Sequence, residues 1–269
     1  MLNTSMLSYE FMREAFIVGI CISLCASLLG VSMVLKKHSM IGDGLSHVGF
    51  ASVAIGAAIG WAPLAFAIPV VMVSSFFILK LSERSKIHGD SAIALIASSS
   101  LAIGYIVIHS SGANFDVETY LYGSILGINK AELIISVVLS LVVILLFALS
   151  YNRIFSLTFD EQFSRSTGIK TGIYNALISA LCSITVVLGM KTMGALLISS
   201  LIIFPTISAR QIFKTYKSVV ISSACISVVS FIIGLCISYY VDTPVGSMIV
   251  VVNLAVLISL MIIGKIFKR

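Results

Sequence analysis

The sequence predicts an all-α fold: a polytopic transmembrane helical bundle, eight or nine spans with a short re-entrant helix. Three observations predict it. Hydrophobic residues make up 59% of the 269 and charged residues only 10%. Uncharged runs long enough to cross a bilayer recur along the chain. Lysine and arginine gather in the short segments between those runs. A soluble domain carries about 25% charged residues to cover its wet surface. This chain is too poor in charge for that, so its helices must face lipid and one another. One transmembrane domain over residues 1–269 is expected, in the cell membrane and in contact with lipid.

Runs of about 18 uncharged residues or more are read as spans. They are Ala15–Leu35, Val48–Leu79, Ser91–Ile108, Leu133–Ser150, Gly172–Met190, Thr192–Ala209, Ser218–Val241 and Thr243–Gly264. Val48–Leu79 is too long for one crossing. The break Gly60-Trp61-Ala62-Pro63 divides it, with proline placed to open a new helix. The split gives nine spans, the second beginning near Asp43. The first run exceeds a signal-peptide core and is followed by Lys36-Lys37, so a retained helix is expected rather than a cleaved leader.

Orientation follows the basic residues. With the N-terminus outside and nine spans, fourteen lysines and arginines fall in cytoplasmic segments and three outside. The segment Phe115–Gly127, FDVETYLYGSILG, is too short for a span and reads as re-entrant or interfacial. The pairs Gly56/Gly60 and Gly123/Gly127 allow close helix approach. The longest cytoplasmic segment, Tyr151–Thr171, mixes Phe155, Leu157, Phe159 and Phe163 with Arg153, Asp160, Glu161, Arg165 and Lys170. It reads as a short amphipathic helix ending near Gly168, lying on the membrane surface or docking a soluble partner.

Chemistry concentrates in Lys36–Gly60. Asp43 and His47 stand four residues apart in an otherwise apolar stretch, so a helix presents both on one face. A carboxylate and an imidazole are ordinary ligands for zinc or a similar divalent ion. Ionisable groups in a membrane segment usually mark an ion or substrate path. The competing reading makes Asp43 the N-cap of the second helix. Binding by an imidazole needs its neutral form, so affinity at such a site falls as pH drops through about 6.5.

Cys21 and Cys25 are also spaced i, i+4. A thiolate pair binds zinc tightly and hinders release, so packing is the expected role for all five cysteines. His109, Asp116 and Glu118 are either a cation-attracting mouth or a solvated loop. His38 and His88 read as loop residues. The basic residues form no stripe, so no nucleic-acid partner is expected. The chain has no G-x-x-x-x-G-K-[ST] phosphate loop, no H-E-x-x-H and no G-x-S-x-G. It is therefore not expected to be an enzyme or to hold a resident cofactor. The cargo, a divalent metal ion, is substrate.

Four blocks in order resemble the membrane permease subunit of the bacterial zinc, manganese and iron ABC importers. They are LLGVSMVLKKHSMIGDGLSHVGFASVAIG, ETYLYGSILG, TFDEQFSRSTGI and KTMGALLISSLIIFPTISAR. The likeness covers nearly the whole chain and looks nearest to the zinc branch. It implies a homodimer of permeases, cytoplasmic ATP-binding subunits and an extracytoplasmic metal-binding protein. Asp43 and His47 match the family's metal-contacting Asp and His. Phe159, Asp160, Glu161, Phe163 and Gly168 fall in its ATPase-coupling segment. Gln162 and Phe163 follow Glu161 where small residues are usual, which puts the role of Glu161 in doubt. Gly44 and Thr206 stand where alanine is common, with no chemical consequence expected. The alternatives are a manganese or iron permease of the same family, or a secondary metal transporter needing no ATPase.

Overall fold

The computed structural model describes residues 8–84, 89–111, 123 and 130–267, and among these the only regular structure is helix. The helices are α1 Glu10–Leu35, α2 Ile41–Ala58, α3 Pro63–Arg84, α4 Gly89–Ser111 and α5 Lys130–Phe159. They continue with α6 Glu161–Ser166, α7 Thr171–Met193, α8 Ala195–Ile212, α9 Tyr216–Val241 and α10 Val245–Phe267. Eight are long and apolar enough to cross a membrane. The remaining long helix, α2, spans about 27 Å at 1.5 Å per residue. Its Asp43, His47 and glycines dilute its hydropathy. It is sheltered by α3 and α4 on one side and α7 and α8 on another, where protein rather than lipid meets its polar groups. Both of the expected span counts thus have a physical basis: eight helices by apolarity, a ninth by burial.

The breaks follow local chemistry. α1 ends in a Schellman turn: the His38 amide donates to the Met33 carbonyl at 2.9 Å and the Lys37 amide to Val34 at 3.2 Å. Lys37 occupies the left-handed position at φ 62°, a place glycine usually fills. α2 ends the same way with Gly60 at φ 75°, and Pro63 opens α3 as the break predicted. Gly60 thus serves a turn, and a Cβ there would meet nothing within 4 Å.

Charged contacts put alternate helix ends at common levels. Lys130 at the start of α5 pairs with Glu10 at the start of α1 at 3.0 Å. Lys191 near the end of α7 pairs with Glu132. At the opposite end, Lys36 after α1 bonds Asn175 in α7. This arrangement suits the alternation expected from the basic residues.

α1 and α7 are largely buried, while α3, α4, α5 and α10 lie at the rim. The interior is glued by small and hydroxylic residues. Ser227 donates to the Ser23 carbonyl at 3.0 Å, Ser179 to Ser75 at 2.7 Å, and the Ser32 and Tyr216 hydroxyls are hydrogen-bonded to each other at 3.0 Å. Such contacts substitute for the hydrophobic drive that lipid removes. At Gly30 a Cβ would sit 2.2 Å from the Ile202 carbonyl oxygen, so α1 and α8 touch backbone to backbone. Apart from Gly123, the segment expected to be re-entrant lies outside the described residues, as do His88, Asp116 and Glu118.

Candidate functional site

The first two turns of α2 carry the candidate metal ligands. Its N-cap is Met40, with no side-chain cap bond, and Asp43 lies within the first turn. Asp43 is therefore not the helix cap. Its charge is favoured there by the positive end of the helix dipole. His47 Nε2 stands 3.7 Å from Asp43 Oδ2, with the side chains 23% and 43% exposed respectively. That separation exceeds a hydrogen bond, so neither group saturates the other and both retain lone pairs for a cation.

Both side chains open on one cleft of about 390 Å³, walled by Met40, Ile93, Ala97 and Leu101 and also lined by Asp90. Asp90, in the first turn of α4, is the group that sequence reading missed. It sits between runs as an ordinary loop acid, and only the parallel packing of α2 on α4 brings it to the cleft. Gly44 makes that packing possible: a Cβ there would lie 2.4 Å from Ile93 Cγ2. The consequence of Gly44 is one of packing rather than chemistry, since it sets how closely the two acid-bearing helices approach.

Among the described residues no three His, Cys, Asp or Glu side chains converge tightly enough to hold a metal ion. Asp43 and His47 offer at most two of the four donors that a zinc shell takes, and Asp90 lines the same cleft. Cys25 is spent otherwise, its thiol directed at the Ser140 carbonyl at 3.4 Å. His109 ends α4, and no metal site forms around it among the described residues.

His38 lies in the turn between α1 and α2, with its buried Nδ1 unpartnered. Burial and the Lys36 ammonium hold its pKa below the ordinary 6.5, against the opposing pull of Asp90. The folded protein therefore resists protonating His38, while an unfolded chain takes the proton near pH 6.5. The stability from this residue is complete above that pH and lost as pH falls from it toward the folded value. Thermal unfolding from pH 7.5 to 5 should show a smaller acid loss for His38→Gln than for wild type.

The segment Tyr151–Thr171 differs in detail from expectation. Tyr151–Phe159 is not part of a separate amphipathic helix but continues α5, because no breaker intervenes after Ser150. The separate helix is α6 alone. Asp160 caps it, accepting from the Phe163 amide at 2.8 Å. Gly168 at φ 84° ends it, with the Ile169 amide donating to the Ser164 carbonyl at 3.1 Å. Glu161 faces inward, accepting from Asn175 Nδ2 at 3.2 Å. Phe159 and Phe163 are exposed, which leaves them as the segment's outward aromatic knobs. Asp160 and Gly168 thus shape α6, Glu161 anchors it, and Phe159 and Phe163 face outward.

A family model described as the ABC 3 transport family matches residues 8–264. The chain belongs to the ABC 3 transport family. It is a multi-pass membrane protein and a transporter component rather than an enzyme. It is 28% identical to the high-affinity zinc uptake system membrane protein ZnuB of Haemophilus influenzae, over 97% of this chain and 98% of that one. It is also 28% identical to the manganese import system permease protein ScaB of Streptococcus gordonii, over 96% and 93%. Among solved structures it is similar to PsaBC from Streptococcus pneumoniae in complex with Fab, with a TM-score of 0.85 and 25% identity. That match covers 96% of this chain and 93% of the other.

Proposed function

We propose that this ABC 3 family chain is the permease subunit of an ATP-driven importer of divalent metal ions, with zinc the first candidate cargo. One observation carries the reading. A carboxylate and an imidazole, 3.7 Å apart on a sheltered membrane helix, open together on a cleft. Nitrogen and oxygen donors of this kind suit zinc, and a generic site favours it over manganese. Energy comes from cytoplasmic ATP-binding subunits that seat on the Phe159 and Phe163 face. An extracytoplasmic binding protein delivers the ion, and a second copy of the chain completes the path.

Manganese is the second reading. ScaB is as similar to this chain as ZnuB is, and a cleft with two carboxylates and one imidazole also accepts a harder ion. Competition decides between them. Cells lacking their own metal importers, supplied with this chain and its partners, should take up labelled zinc with little inhibition by equimolar manganese. Asp90→Asn should reduce that uptake while leaving the metal preference intact. Zinc uptake that manganese displaces completely would replace zinc by manganese as the cargo.

A further inference from the structure

A partly buried hydrogen-bond chain joins the α6 segment to the turn that leads into α2. Lys36 Nζ donates to Asn175 Oδ1 at 2.8 Å. Asn175 Nδ2 in turn donates to Glu161 Oε1 at 3.2 Å, and Arg165 flanks the same oxygen at 3.8 Å. Lys36, Asn175 and Glu161 meet at a cavity of about 200 Å³ that His38 and Thr158 also line. Asn175 is only 9% exposed.

We propose that Lys36 and Asn175 are positioning residues, a strap that holds the start of α2 in register with α6. The inference rests on the reading of α6 as the ATPase contact and of α2 as the metal-bearing helix. The chemistry of the middle link is selective. Lysine can only donate and a carboxylate can only accept, so the residue between them must accept on one side and donate on the other. A side-chain amide does both at once. A carboxylate at 175 keeps the lysine and repels the glutamate.

The two ends of the strap are mechanically informative. Glu161 is the first residue of α6, beside the exposed Phe159 and Phe163. Lys36 is the C-cap of α1, and Lys37 after it is held left-handed at φ 62°. That conformation is strained for a residue with a Cβ. The Schellman bonds fix the turn, so a displacement of Lys36 is carried to Ile41 and the first turn of α2. Asp43 lies in that turn. A shift of α6 by a bound partner thus reaches the metal ligands through two hydrogen bonds and one rigid turn.

The test uses the complete transporter, with ATP-binding subunits and binding protein, in lipid vesicles. Zinc moved and ATP hydrolysed are measured together. Asn175→Leu and Asn175→Asp should each lower zinc moved per ATP by roughly 5- to 150-fold, the range of an ordinary coupling free energy. ATP hydrolysis without binding protein should stay at the wild-type rate. Lys36→Met should behave alike, Lys36→Arg should retain coupling, and Lys36→Met/Asn175→Leu should be no worse than either single change. Lys36 lies at a half-buried rim, so its two variants carry the test even if Asn175 variants do not assemble. A normal ratio in Asn175→Asp, or losses that multiply in the double variant, would overturn the strap. Failure of the wild-type chain to retain the ATP-binding subunits would overturn the α6 reading first, before any variant is compared.

Discussion

Asp43→Ala and His47→Ala are each expected to abolish metal uptake while the protein still inserts and assembles. Each change removes one of only two donors on the cleft face of α2. Losing even a group that merely supports a ligand costs 10- to 100-fold in metal affinity, so losing a ligand should cost about 100-fold or more. The structural cost is small. Asp43 caps nothing, and its part in the helix-dipole interaction amounts to about 1 kcal/mol at most. His47 makes no contact closer than 3.7 Å to its carboxylate neighbour. Uptake assays paired with size-exclusion profiles of the detergent-solubilised protein separate the two effects. Normal uptake in either variant would remove the metal role from that residue.

Gly30→Val is expected to give the largest loss of stability. The new side chain would begin 2.2 Å from the Ile202 carbonyl oxygen. Backbone lies on both sides of this contact, so no rotamer change relieves the clash. α1 and α8 must separate, and with them the packing on which α2 leans. Overpacking of this severity costs about 3 kcal/mol or more, a fall in Tm on the order of 10 °C for a chain of this size. Gly172→Ala is the control. A Cβ there meets nothing within 4 Å, and exchanging a helical glycine for alanine gains up to about 1 kcal/mol. Thermal unfolding in detergent reads both, and equal behaviour would refute the contact.

The fold was legible because lipid imposes one rule on long uncharged runs. Pro63 and Gly60 marked a helix break, and Lys36-Lys37 marked another, each for a local reason that tertiary packing did not override. The Asp43/His47 pair was legible from spacing alone, since i, i+4 needs only a helix. Asp90 was not, because its place depends on the packing of α2 against α4 at Gly44 and Ile93. The inward turn of Glu161 was equally hidden. An acid in a polar segment looks solvated until Asn175 is brought to it from α7. Asp160 and Gly168 were singled out as members of the coupling segment, and their backbone positions also make them the start and stop of α6.

On this reading the chain passes a divalent metal ion across the membrane only under the power of its partners. The most direct measurement is uptake of labelled zinc and manganese by cells lacking their own importers. The chain is supplied alone, then with the ATP-binding subunits and the binding protein. The expected result is saturable uptake that requires both partners. Uptake by the chain alone would contradict the account and make it a secondary transporter. Absence of uptake with every partner present would remove the metal from the account and leave the membrane fold standing.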